Sequence, residues 1–285
     1  MKEKFNFNKP KNKLELLNKL NEGVDKIAQQ TNEQFGLDLL DNQGVINSSL
    51  FSQPSQKKID FINQRERYWA KVDDPDARKS FATFHHLESL DEVALTKAMF
   101  DRWRDEKENG KSTMLEKLTT IIFRKALGKE YLVMRSATYD DYAHGVDNVI
   151  INTKTNEIIC AFDEVHSRKA GDRLVEKNQK IIKQAQTGGT QIDDAVKMVD
   201  GKLAPAQYKN VPNFYITLDI DELNEALDKI NCQTINQTSD FEQSLYIKFT
   251  SAIIQQSEML LQQPNIPDII KQRLHQVSQF FKTQK

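Results

Sequence analysis

Residues 145–169, GVDNVIINTKTNEIICAFDEVHSRK, contain two dense apolar runs that carry carboxylates where a buried strand ordinarily has none. Asp147 lies inside the first run, and Asp163 and Glu164 end the second. A carboxylate buried among apolar side chains needs a partner. The polar NTKTNE between the runs is short enough to fold them into an antiparallel hairpin. With its centre near Thr155, facing residues sum to about 310, which sets Asp147 opposite the neighbourhood of Asp163. Directly opposed side chains have Cβ atoms roughly 4.5–5.5 Å apart. Two carboxylates held that close repel unless a proton or a cation sits between them. A hard divalent cation such as Mg²⁺ or Mn²⁺ accepts carboxylate and water oxygens, and a partly hydrated one also takes a substrate phosphate. An oxygen-ligand metal site at a strand hairpin is the chemistry this spacing offers. Structural hydrogen bonding by Asp147, and a plain strand-end role for Asp163 and Glu164, are the alternatives.

The elements that would position these groups follow from pattern. In GKSTMLEKLTTIIFRKALG, Leu115, Leu118, Ile121 and Ile122 recur at helical spacing, Ser112 or Thr113 supplies a cap and Gly128 a stop. Glu116, three residues after Thr113, has the spacing of a capping box. Three strands are expected next, at 130–139, 145–152 and 157–165, with Asp140 and Asp141 in the turn between the first two. A second helix ends at Gly188-Gly189, a hairpin turns at Asp200-Gly201, and NFYITLDI (213–220) reads as a further buried strand. Helices are expected at 14–30, 59–72, 89–108 and 221–231, and a helical hairpin, broken at Pro264 and Pro267, at 239–262 and 267–283. The organisation expected is a helical N-terminal region over 1–100 with a linker near 41–58, an α/β core over 101–231, and a C-terminal helical appendage over 239–285.

The order helix, three strands, helix, strand, with an Asp in the second strand and an acidic cluster ending the third, resembles the PD-(D/E)xK nuclease superfamily over about 113–220. YDDYAHGVDNVIIN and IICAFDEV also resemble a set of bacterial proteins of unassigned function. The nuclease resemblance implies a restriction-endonuclease-like αβββα(β) core and Mg²⁺- or Mn²⁺-dependent phosphodiester hydrolysis. By the same resemblance Asp147 is the second-strand metal ligand, Asp163 or Glu164 the third-strand ligand, and Glu116 the acidic residue of the first helix. The sequence departs from the pattern where a lysine is expected. Two residues after Asp163 stands Val165, and two after Glu164 stands His166. Some members of the superfamily take the lysine from the following helix, where Arg173, Lys177 and Lys180 share one helical face. Lys177 or Lys180 is then the substitute. A non-catalytic protein that keeps such a fold to bind nucleic acid or a protein partner is the rival reading, and Val165 favours it.

Forty basic residues against 41 acidic leave no global field to draw the chain to nucleic acid or membrane, so any affinity for DNA or RNA must be local. One patch qualifies: Arg168, Lys169, Arg173, Lys177, Lys180 and Lys183 stand against Asp172 and Glu176 over residues 166–183. A solvated helix face is the plainer account of it. The lysine-rich arm at 2–13 reads as a solvated tail. Cys160 and Cys232 are the two cysteines, and Cys160, inside an apolar run, suggests a reduced, buried side chain rather than a disulfide framework; with no export signal or membrane span the expectation is a cytoplasmic protein. The pair His85-His86 lacks metal-ligand spacing, and Trp69 and Trp103 read as helix packing.

Overall fold

The computed structural model describes residues 13–50, 53–87, 91–167 and 170–284, with the side chains of all but 48, 166–167 and 170–173. The chain begins with α1 (Lys13–Phe35), α2 (Gln56–Ala70), α3 (Pro75–Phe84), α4 (Glu92–Asn109) and α5 (Lys111–Leu127). Next come β1 (Tyr131–Arg135), a short α6 (Thr138–His144), β2 (Asn148–Asn152) and β3 (Ile158–Ser167). After α7 (Ala170–Gln186) the chain forms β4 (Thr190–Val199), β5 (Lys202–Val211) and β6 (Asn213–Asp219). It closes with α8 (Ile220–Lys229), α9 (Asp240–Leu261) and α10 (Asp268–Thr283). The architecture is mixed α/β, with a small sheet between helices drawn from both ends of the chain.

The main sheet has the order β1-β2-β3-β6, antiparallel across the first two pairs and parallel between β3 and β6. Alternation along the strands divides their side chains between two cores. Val133, Ile150, Cys160, Phe162 and Phe214 pack with α1, α5, α8, α9 and α10. Leu132, Met134, Val149, Ile151 and Ala161 face the β4–β5 hairpin through Ile192, Ala195 and Val196. The C-terminal helices are therefore part of the main core rather than an appendage: Phe123 of α5 meets Phe162, Tyr246, Phe249 and Phe281. Capping boxes at Asp219/Glu222 and Ser239/Glu242 start α8 and α9.

Several expectations need correction. The first strand stops at Arg135, and the segment read as a turn around Asp140 and Asp141 is helix α6. Helix α3 was not anticipated, although Asp74 caps it and Pro75 occupies its first turn. Part of the stretch read as a linker over 41–58 is built into the molecule, at Val45 and Ile46. Ile46 is buried with Leu39 and Leu40, Val45 bridges to Arg135, and Asn32 brackets Leu40 with hydrogen bonds of 2.8 and 2.9 Å. Helix α5 is capped by the backbone of Gly110 and not by Ser112 or Thr113; Thr113 instead donates to the Lys107 carbonyl. The expected capping box at Thr113 and Glu116 is absent, because Glu116 is turned to the sheet.

Candidate functional site

The strand hairpin has the register its turn length implies. Asn148 pairs with Phe162 and Val149 with Ala161, which carries Asp147 to the level of Asp163. The backbone N–H of Asp147 donates to Phe162 O at 3.0 Å, and its Oδ2 accepts from the backbone N–H of Glu164 at 2.9 Å. Just upstream, Gly145 ends α6 in the left-handed region at φ 62°. The turn calls for glycine; a Cβ there would also meet Nζ of Lys180, the movable end of a flexible side chain.

Four carboxylates then meet two lysines. Glu116, Asp147, Asp163 and Glu164 line one cleft of about 710 Å³ together with Lys177 and Lys180. Asp163 forms ion pairs with Lys177 and, at 3.3 Å, with Lys180. Glu116 accepts from Arg135 of β1 at 2.6 Å. Glu164, 3% exposed, points toward α5 along with Phe162 and Cys160. Its Oε1 accepts from Thr119 Oγ1 and, at 2.6 Å, from Asn148 Nδ2, while its Oε2 is buried with no partner. Asn148 is itself fixed by Thr120 Oγ1 at 2.8 Å. Lys107 closes one flank by pairing with Asp141 at 2.5 Å.

The electrostatics follow from this crowding. Burial, followed by the charge of Glu116, pushes the Glu164 carboxyl up to about 8. Burial likewise holds Asp147 well above the usual carboxylate range, with Glu116, Asp163, Asp141 and Glu164 adding to the effect. Asp141 is raised by burial against the opposing pull of Lys107. Negative charge is thus concentrated beyond what the neighbouring bases neutralise, and protonation or a cation relieves it.

All the site residues expected from sequence, Glu116, Asp147, Asp163, Glu164, Lys177 and Lys180, reach this cleft. They do not form a closed cage. Among the described residues, the set of three ligand groups with all ligand atoms within 4.8 Å of one another is Asp140, His144 and Asp193. That trio, not anticipated, is a clasp between α6 and β4. Asp140 accepts from the backbone N–H groups of Asp193 and Asp194, each at 2.9 Å, and Asp193 Oδ2 meets His144 Nε2 at 3.0 Å. Asp140 and His144 are four residues apart, a spacing that tells only once α6 is known to be a helix, and Asp193 lies 49 residues beyond His144.

Sequence reasoning also missed the polar support, Arg135, Asn148, Thr119 and Thr120, and the flank formed by Lys107 and Asp141. Asn148, beside Asp147 in an apolar run, was the available signal. Trp69, expected in a core, is 54% exposed and lines the cleft with Trp103. The side chain of His166, and Arg168, Lys169 and Arg173 of the basic patch, lie outside the residues whose side chains are described; so does most of the arm at 2–13. No family model, curated protein or solved structure matches the chain.

Proposed function

We propose that the protein is a divalent-metal-dependent nuclease that hydrolyses phosphodiester bonds of DNA or RNA, on a restriction-endonuclease-like core. The observation that carries this reading is the convergence of four carboxylates with Lys177 and Lys180 in one cleft. The donor set suits a hard cation, being all oxygen, and the partnerless Oε2 of buried Glu164 fits a group that neutralises carboxylates there. Mg²⁺ is commonly held by one or two carboxylates with waters and substrate phosphate completing its shell, so a closed trio is not required. Asp147 and Asp163 or Glu164 would hold the ion, with Glu116 beside them. The ion, when bound, polarises the phosphoryl group and acidifies a coordinated water.

The chain's own residues do the rest. Arg135 orients Glu116, and Thr119 with Asn148 fixes one oxygen of Glu164. Lys177 and Lys180, resting on Asp163, supply the positive charge that Val165 cannot, since Val165 is apolar and 2% exposed. Their ammonium groups offset charge developing on the phosphoryl oxygens. Incubation of purified protein with single-stranded, duplex and branched DNA and with RNA, in Mg²⁺ or Mn²⁺ and in EDTA, tests the reading. Metal-dependent cleavage of at least one substrate is expected, and cleavage of none sinks it. The second reading, a non-catalytic binder of nucleic acid or protein, is favoured by Val165 in the strand and by the absence of a tight carboxylate trio among Asp147, Asp163, Glu164 and Glu116.

A further inference from the structure

The carboxylates make up one part of the cleft's lining, and Arg65, Trp69 and Trp103, from α2 and α4, make up another. Phe61, Arg65 and Trp69 recur every four residues along α2 and share one face. Phe61 is seated edge-on against Tyr139 of α6, ring centroids 5.5 Å apart, and Arg65 lies 5.4 Å from the centre of the Phe61 ring. These contacts fix the helix beside the sheet and leave the Trp69 indole more than half exposed at the cleft. Trp103 is half-buried, backed by the small cluster of Ala70, Val72 and Met99. The Arg65 guanidinium pairs with no carboxylate among the described residues. A large aromatic surface left open beside a guanidinium that has no carboxylate partner among the described residues is not explained by packing.

We propose that the strand entering the cleft is single-stranded nucleic acid, with bases stacked on Trp69 and Trp103 and a backbone phosphate on Arg65. The inference rests on the phosphodiester reading above and goes beyond it by naming the form of the substrate. Stacking on a side chain needs the flat face of a base, which a duplex keeps for its own neighbours and a single strand offers at every nucleotide. The size of the cleft agrees. About 710 Å³ is within the range of a small-ligand pocket and accommodates a few unpaired nucleotides. Arg65 adds the phosphate contact that makes such binding sensitive to salt.

Trp69 and Trp103 are the two tryptophans of the chain, so intrinsic tryptophan fluorescence reads this wall and nothing else. The protein is titrated, with Ca²⁺ in place of Mg²⁺, with oligothymidylate, oligouridylate and a hairpin duplex of equal phosphate number. Quenching by a single strand is expected, with the duplex bound at least ten-fold more weakly. Trp69→Ala should weaken single-strand binding about ten-fold or more, the scale of one lost base stack, and Trp69→Phe should restore most of it. Trp103→Phe, which keeps a ring against Met99, should reduce the quench. Equal affinity for duplex and single strand, or binding that Trp69→Ala leaves unchanged, overturns the inference. Cleavage followed in parallel with Mg²⁺ separates the two readings. Duplex cleavage indifferent to Trp69→Ala sinks the single-strand inference and leaves hydrolysis standing, whereas Trp69-dependent single-strand binding without cleavage supports the inference and sinks hydrolysis.

Discussion

Lys177 of α7 reaches back fourteen residues to form an ion pair with Asp163 at the end of β3. Lys180, one turn further along the helix, joins the same oxygen at 3.3 Å. Two cations on one carboxylate are more than that carboxylate needs. Both ammonium groups thereby stand in the cleft that Asp147 and Glu164 also line.

Lysine to methionine at 177 or 180 keeps the aliphatic length and removes the charge. At whichever of the two meets the reacting phosphate, metal-dependent cleavage should fall roughly 10²–10³-fold, the scale of one lost transition-state donor. A single-turnover rate reads this directly. His166→Ala should cost less, since Lys177 and Lys180 already bring positive charge to Asp163. Full activity in both lysine variants would remove α7 from the mechanism.

Asp147→Asn keeps the shape and an acceptor for the Glu164 N–H but loses the charge. In the metal-free protein it relieves repulsion from Glu116, Asp163, Asp141 and Glu164, so the melting temperature without metal should rise. Mg²⁺ or Mn²⁺ should raise the melting temperature of the unaltered protein, and this rise should vanish in the variant. Thermal melts with and without metal test both halves, and a metal shift retained by the variant would place the ion elsewhere.

How much of this was legible depends on the kind of interaction. The β2–β3 register could be read because alternation and turn length are local, and the pairs at 148–162 and 149–161 follow them until a bulge after Ile150 shifts Ile151 to Ile158. Helix α6 could not. Seven residues, TYDDYAH, are too few to show a helical period, and their acids read equally well as a turn. Glu116 looked like a capping residue because its spacing from Thr113 is local, whereas the arginine it binds lies nineteen residues away on another element. Trp69 was misplaced for a related reason. Periodicity shows which residues share a helix face but not whether a neighbour covers it.

The Glu164 carboxyl predicts a pH dependence of the metal-free protein. Its folded pKa, about 8, lies above the value of 4.5 for a free side chain, so the folded state holds the proton more tightly than the unfolded chain. The stability linked to that proton is complete below about pH 4.5 and is lost as pH rises toward 8. Denaturant melts in EDTA across this range should show the decline, by an amount on the order of a few kcal/mol. Glu164→Gln should flatten it, since the amide cannot ionise. An equally steep decline in the variant would assign the titration to another group.

Gly145 makes the last prediction, because its two constraints separate. The left-handed backbone there costs a residue with a side chain about 1–2 kcal/mol, so Gly145→Ala should lower stability by that order whatever α7 does. The added methyl also occupies the place of Lys180 Nζ. Lys180 is the far end of a flexible chain and moves at little cost to the fold, but in moving it leaves Asp163. Gly145→Ala should therefore reduce cleavage more than its stability loss explains, and should cost little further in a Lys180→Met background, where there is no ammonium to displace. A double-mutant cycle on single-turnover rates measures the coupling. Strict additivity of the two changes would mean that Gly145 serves the turn alone and that Lys180 does not act from the position it holds above it.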